Sequence, residues 1–265
     1  MKAIRYTMLA TAAALCIAVT ASATTPTPNG AFIKLRKFND SPGSIITTTN
    51  AYPGKIEIND AVMNACGGAN LHGWVFSADG GANPASFDNN ATYSYACDVT
   101  LNSNLPGSEA GLMVSPWYGH FSDGKFMING GGEIACFGGR LPFYSFTGNY
   151  AIHYVKGTTV RMGITYYCNT LNSFNPATIE YTIKVGATTY SSGKLPFDQA
   201  NPAEDPPHGL WGELNDAYVG GYLQGNPDCG NDQAFMDCVW GDIVFAGGTT
   251  PAKTTSWGTL KKQYK

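Results

Sequence analysis

Over most of the chain, apolar and polar residues alternate with a period of two. Between Thr158 and Tyr166, Val160, Met162 and Ile164 fall on one side and Thr159, Arg161 and Thr165 on the other. A half-buried strand needs this alternation. Comparable short runs, rich in β-branched and aromatic residues, predict strands over residues 32–38, 55–58, 71–77, 93–101, 110–115, 125–128, 134–137, 150–155, 158–167, 178–185, 218–223 and 240–245. Asp79-Gly80-Gly81, Asp123-Gly124 and Asn129-Gly130 punctuate them as turns. No helical period outlasts two turns before the C-terminus. Many strands without crossover helices predict an all-β fold, an antiparallel sandwich or barrel.

The two ends depart from this pattern. Lys2 and Arg5 precede an apolar stretch centred on Met8 to Val19, and Ala21-Ser22-Ala23 follows as a small-residue cleavage site. Residues 1–23 therefore read as a secretory signal peptide; the apolar run is short for a membrane span of about 20 residues. Residues 24–30 form a Thr/Pro/Asn leader, and 31–246 a single domain undivided by repeats, charge runs or linkers. Residues 247–256 have linker composition. In 257–265, Trp257, Leu260 and Tyr264 lie at helical spacing, with Ser256 as cap and Lys261, Lys262 and Lys265 near the end. Past the signal peptide, no segment is long and apolar enough to cross a bilayer as a helix.

Composition narrows the function classes. Charged residues make up 13%, about half the usual 25% of soluble domains. Hydrophobic residues at 43% exclude a mostly disordered chain. The net charge of −3 leaves no basic footprint for nucleic acid.

Of seven cysteines, Cys16 lies in the signal peptide. Cys66, Cys97, Cys136, Cys168, Cys229 and Cys238 remain, an even number that predicts three disulfides in an exported chain. Nearest-neighbour pairing (Cys66–Cys97, Cys136–Cys168, Cys229–Cys238) is the simplest of 15 connectivities. The tight Cys and His pairs of a zinc site are absent from the sequence.

Four segments carry a family resemblance: Glu109-Ala110-Gly111-Leu112-Met113-Val114, then Tyr154-Val155-Lys156-Gly157-Thr158-Thr159-Val160, then Ile179-Glu180-Tyr181-Thr182-Ile183-Lys184-Val185-Gly186, and last Trp240-Gly241-Asp242-Ile243-Val244-Phe245. Their order resembles the concanavalin A-like lectin/glucanase jelly rolls, a family that includes laminin-G-like modules. The resemblance implies an antiparallel β-sandwich and admits both lectins and hydrolases. It also implies a possible structural calcium where the first and last strands meet, with Asn39, Asp40 and Asp242 as oxygen ligands. Asp228, Asn231 and Asp232 form a rival cluster, and ordinary turn-forming residues are the simpler account of both. Laminarinase-type members carry catalytic acids as Glu-x-Asp-x-(x)-Glu on one strand. None of the 19 Asp and Glu here is followed by an acid two residues later, so that strand is absent. The last nine residues resemble the short Trp-Gly-x-x-Lys-x-x-Tyr endings of some bacterial exported proteins.

Glycoside hydrolysis would then need two acids from different strands. Glu109, Glu133, Glu180 and Glu213 are candidates, with Glu133 and Glu213 foremost because each adjoins Gly in an apolar, aromatic stretch. The plainer expectation for each is an outward or hydrogen-bonded structural acid. In the Gly-rich stretch 130–146, Arg140 suits a carboxylate, on a neighbouring strand or on a ligand. Sugar binding uses aromatic faces with amides beside them. Trp117, Tyr118 and Trp211 sit in loop contexts, with Asn215, Gln224 and Asn226 near Tyr218 and Tyr222. No serine nucleophile elbow, phosphate loop or dinucleotide fingerprint occurs.

These features predict an exported protein, secreted, periplasmic or on the cell surface, that binds an extracellular glycan or the cell envelope. A hydrolase or lyase with acids on different strands is the alternative, and a structural envelope or appendage protein the third.

Overall fold

The computed structural model describes residues 25–37, 43–115, 124–138, 141–171, 174–197 and 216–247. In chain order the elements are β1 (Gly30–Lys37), β2 (Ile45–Ala51), β3 (Lys55–Ala61), β4 (Asn70–Ser77), β5 (Phe87–Asp88), β6 (Tyr93–Ser103), β7 (Glu109–Ser115), β8 (Lys125–Asn129), β9 (Ile134–Phe137), β10 (Tyr144–Ser145), α1 (Phe146–Tyr150), β11 (Thr159–Tyr167), β12 (Thr178–Val185), β13 (Thr188–Pro196), β14 (Asp216–Gly225) and β15 (Phe235–Gly247). They build two antiparallel sheets. One has eight strands in the order β1-β4-β14-β7-β8-β9-β10, with β5 on β14; the other has seven in the order β13-β12-β11-β6-β15-β3-β2. This is the jelly-roll sandwich expected from the strand order.

Alternation builds the core between the sheets. On β6, Tyr93, Tyr95, Cys97, Val99 and Leu101 are buried while the residues between them are partly open. Trp74 of β4 and Trp240 of β15 meet across the core with ring centroids 6.3 Å apart. Gly221 of β14 makes room for both: a Cβ there would lie 2.5 Å from Trp74 Nε1 and 2.6 Å from Trp240 Nε1. Tyr95 reaches from one sheet to the other, its hydroxyl donating to the Met113 carbonyl at 2.9 Å with the Gly220 carbonyl at 3.1 Å.

Some elements differ from the sequence expectation. Residues 150–155 are not a strand. Ser145 caps α1 by accepting from Gly148 N, and Ala151 ends the helix in the left-handed region. The Tyr154 hydroxyl then donates within the core, with the Leu101 and Thr158 carbonyls at 3.0 and 2.9 Å, and accepts from Leu101 N. β2 and β13 had no clear period because both lie at sheet edges and are largely open on both faces. Residues 25–29 run on into β1, tied by Thr25 to the Thr92 carbonyl and by Asn29 N to the Ser77 carbonyl.

The three-disulfide expectation is corrected. Cys66 pairs with Cys229, 163 residues away, at a Cα separation of 4.4 Å. Backbone bonds from Asp228 N to Met63 O and from Gly230 N to Asn64 O bring the two loops together. Cys97, Cys136, Cys168 and Cys238 are free and buried. Cys97 and Cys238 stand on core positions of the seven-stranded sheet and Cys136 on one of the eight-stranded sheet, while Cys168 follows β11 and accepts from Thr92 Oγ1. Burial pushes the thiols of Cys97, Cys136 and Cys238 up, which leaves them unreactive.

Candidate functional site

The eight-stranded sheet turns its other face away from the core, and the register decides which residues stand on it. Tyr222 of β14 lies between Gly73 of β4 and Gly111 of β7. Gly220, the preceding outward position of β14, lies between Val75 and Met113. Three outward positions around Tyr222 thus carry no side chain. The backbones there are close: a Cβ on Gly220 would stand 2.0 Å from the Trp74 carbonyl, and one on Gly111 2.0 Å from the Phe126 carbonyl. Leu71, Val75, Met113, Met127, Ala135 and Tyr222 form a second apolar cluster on this face, with Phe32, Phe137 and Tyr218 packed partly buried against it. A sheet with apolar clusters on both faces is unusual for a half-buried antiparallel layer.

Polar groups converge on the same cluster from three strands. Lys125 of β8 donates to Glu109 Oε1 of β7 at 2.7 Å and to Gln224 Oε1 of β14. Its ammonium lies 4.9 Å from the centroid of the Tyr222 ring, within cation–π range. Tyr222 is fully buried, yet its hydroxyl has no hydrogen-bond partner among the described residues. Burial, aided by the Glu109 carboxylate, holds this phenol well above its ordinary pKa, so it keeps its proton. Ser115, on the same face, is a second buried hydroxyl without a partner among the described residues. Buried polar groups are nearly always satisfied, and exceptions mark functional or hydrated places.

The acids singled out in the sequence separate by face. Glu109 faces outward beside Asn129, and Asn129 is in turn bonded to Glu133 across the β8–β9 turn. Glu109 and Glu133 thus stand two strands apart on one face. Glu133 is exposed; its backbone N–H donates to Asn129 Oδ1 at 2.9 Å, and its Oε2 accepts from Asn129 Nδ2 at 3.3 Å. Glu180 lies on the other sheet and accepts from Ser191 Oγ at 2.6 Å. Trp117, Tyr118, Arg140, Trp211, Glu213 and Asn215 lie outside the described residues.

Asn39 and Asp40 of the calcium expectation also lie outside them. Asp242 is exposed on β15, in the left-handed region at φ 46°, where the β15–β6 register shifts. Its carbonyl accepts from Arg161 and its N–H donates to Gly54 O. In the rival cluster, Asp228 accepts from Asn231 Nδ2 and Asp232 from Asn64 Nδ2. Among the described residues, no group of three or more His, Cys, Asp and Glu is placed to hold a metal ion.

A buried polar cluster escaped the sequence reading. Asp60 of β3 and His72 of β4 meet between the sheets, with Asp60 Oδ2 2.8 Å from His72 Nε2. His72 Nδ1 accepts from the Arg36 backbone N–H, so Nε2 carries the ring proton. Ser44 Oγ and Asn70 Nδ2 also donate to Asp60. The residue types match a Ser-His-Asp triad, but the wiring does not. The hydroxyl donates to the acid, and no imidazole nitrogen is left to take its proton. This cluster is structural.

No protein-family model matches the chain, and no curated protein sequence is similar to it. Solved structures similar in fold include the alginate lyase A1-II′, a member of polysaccharide lyase family 7, with TM-score 0.45 and 7% identity over 82% of this chain and 95% of that one. Another is the alginate lyase AlgAT5 of the same family, with TM-score 0.41 and 9% identity over 82% and 95%. Arcelin-5, a lectin-like defense protein from Phaseolus vulgaris, has TM-score 0.38 and 12% identity over 83% and 99%.

Proposed function

We propose that this protein binds an extracellular polysaccharide on the outward face of its eight-stranded sheet. The observation that carries this reading is the partly open Lys125–Glu109–Gln224 group, set beside a Tyr222 hydroxyl that is buried and unpartnered among the described residues. Sugar hydroxyls both donate and accept, and they suit a site where a phenol, an amide and a carboxylate converge. Tyr218, Phe32 and Phe137 supply apolar and aromatic surface at the margins of the same cluster. The signal-peptide reading of residues 1–23 and the Cys66–Cys229 bridge support an exported protein. Among the described residues no helix is long and apolar enough to cross a membrane.

A degradative enzyme is the second reading, favoured by one observation. Glu109 and Glu133 stand on one face two strands apart, a backbone spacing of about 9.6 Å that lies near the inverting range of carboxyl separations. Against it, Glu109 is paired with Lys125, and Glu133 is bonded within its own turn. Binding is therefore the reading adopted. The test is pull-down of the purified protein on insoluble polysaccharides, run beside assays for new reducing or unsaturated ends. Retention without product is expected. Product formation that disappears in Glu133→Gln would replace the binding reading with the enzymatic one, and no retention on any polysaccharide would remove both.

A further inference from the structure

We propose a second saccharide site on the opposite side of the molecule, in a depression on the outward face of the seven-stranded sheet, suited to a single uncharged sugar residue. The depression encloses about 200 Å³. Its floor is Ala96 of β6 and Gly163 of β11, which face each other in register. Ser94, Thr165 and Thr182 line it with hydroxyls, and Val244 of β15 forms an apolar wall. That volume is below the roughly 300–1,000 Å³ of pockets for drug-sized ligands, so it fits one ring of a glycan rather than a length of chain.

Gly163 is the reason the depression exists. It sits in the interior of a central strand, paired on both sides. A glycine there weakens the strand and commonly marks the close approach of a ligand or another backbone. Here the nearest obstacle to a side chain is a hydroxyl. A Cβ on Gly163 would lie 2.7 Å from Thr182 Oγ1 and 3.4 Å from Ala96 Cβ. A side chain at this position requires Thr182 to change rotamer.

No charged residue is among those that line the depression, so its own walls favour an uncharged ligand. Arg161 pairs with Asp98 at 2.9 Å on one side. On the other, Glu180 accepts from Ser191, and the Lys194 ammonium lies 3.9 Å from the Tyr167 ring centroid. Lys184 and Asp242 are exposed on the same face, two residues from Thr182 and Val244, but neither lines the depression. What the depression offers is hydroxyls, which donate and accept, beside apolar Val244. An uncharged sugar presents the same mixture of hydroxyls and C–H surface. With one site on each sheet, the protein would be bivalent toward a polysaccharide, and engaging both would raise its avidity without any new contact.

The test uses the full-length mature chain and a panel of neutral hexaoses: cello-, xylo-, manno- and laminarihexaose. Binding is followed by saturation-transfer NMR and calorimetry. Gly163→Val fills the depression with a residue that strands favour; Ala96→Val on the neighbouring strand fills it independently should the first variant fold poorly. Lys125→Met disables only the site on the other sheet. At least one hexaose is expected to bind the Lys125→Met variant and to lose tenfold or more in affinity when Gly163→Val or Ala96→Val is added. Binding that is abolished by Lys125→Met alone would overturn this proposal and leave the first site standing. Binding untouched by both filling variants, or no hexaose bound to Lys125→Met, would also overturn it. Full loss in Gly163→Val with no effect of Lys125→Met would instead overturn the site on the eight-stranded sheet.

Discussion

The carboxylate of Asp60 and the imidazole of His72 face each other between the two sheets at 2.8 Å, and neither side chain is exposed to solvent. Burial pushes the Asp60 pKa up, but the hydrogen bonds from His72, Ser44 and Asn70 outweigh it and hold the acid below its ordinary range. A depressed folded-state pKa means that this carboxylate stabilises the fold above its unfolded pKa of about 3.9. The contribution is then lost as pH falls through the folded value. Acid unfolding followed by circular dichroism should show a slope below about pH 4 that is reduced in Asp60→Asn. Asp60→Ala should cost at least about 3 kcal/mol at neutral pH, because three buried donors lose their acceptor at about 1–3 kcal/mol each. An unchanged acid profile in Asp60→Asn would show that another carboxylate governs acid stability.

Tyr222 offers an unusual pairing of effects. Its hydroxyl is buried without a partner among the described residues, so Tyr222→Phe removes a polar group whose unsatisfied burial costs about 1–3 kcal/mol. The variant should melt at or above the wild-type temperature. Polysaccharide affinity should nevertheless fall by at least about tenfold, or 1.4 kcal/mol. A stabilised variant that binds as well as wild type would take Tyr222 out of the site.

Thiol chemistry gives a direct check on the bridge. Cys66–Cys229 is a single disulfide, and Cys97, Cys136, Cys168 and Cys238 are free and buried. Alkylation of the native protein should label none of these four, and alkylation after unfolding without reductant should label all of them. Reduction of the bridge should destabilise the fold by about 2–5 kcal/mol, since it closes a very long loop. A denatured, unreduced protein with no alkylatable thiol would restore the three-bridge arrangement.

Gly221 has a role unlike that of the outward glycines. Its missing side chain leaves the space in which the Trp74 and Trp240 indoles meet. Gly221→Ala should cost about 1–3 kcal/mol by overpacking, visible as a lower melting temperature. Gly157→Ala tests a different cost, that of backbone conformation alone. Nothing lies within 4 Å of a Cβ there, and only its positive φ of 83° resists substitution. An unchanged melting temperature in Gly221→Ala would show that the two indoles have room to move apart.

Period-two alternation is a local property, and the elements it governs were legible in the amino-acid sequence. β6, β11 and β12 alternate because one side of each faces a dry core, and each was expected where it lies. The Asn129-Gly130 turn, the low charge and the absence of a helical period likewise pointed to an all-β sandwich. Edge strands β2 and β13 left no such mark, because a strand open on both faces has no pattern to impose. The candidate site needed register as well. Glu109, Lys125, Tyr222 and Gln224 come from three strands, with Lys125 and Gln224 99 residues apart. Glu109, Tyr222 and Gln224 could be named singly, but Lys125 carried no local signal, since a lone lysine at a strand start looks like any solvated charge. Cysteine pairing was beyond local reading for the same reason. Cys66 found Cys229 because the loops after β3 and β14 meet at one end of the sandwich. A strand's period reports which way its own side chains point, and only the packing of distant strands decides what they meet.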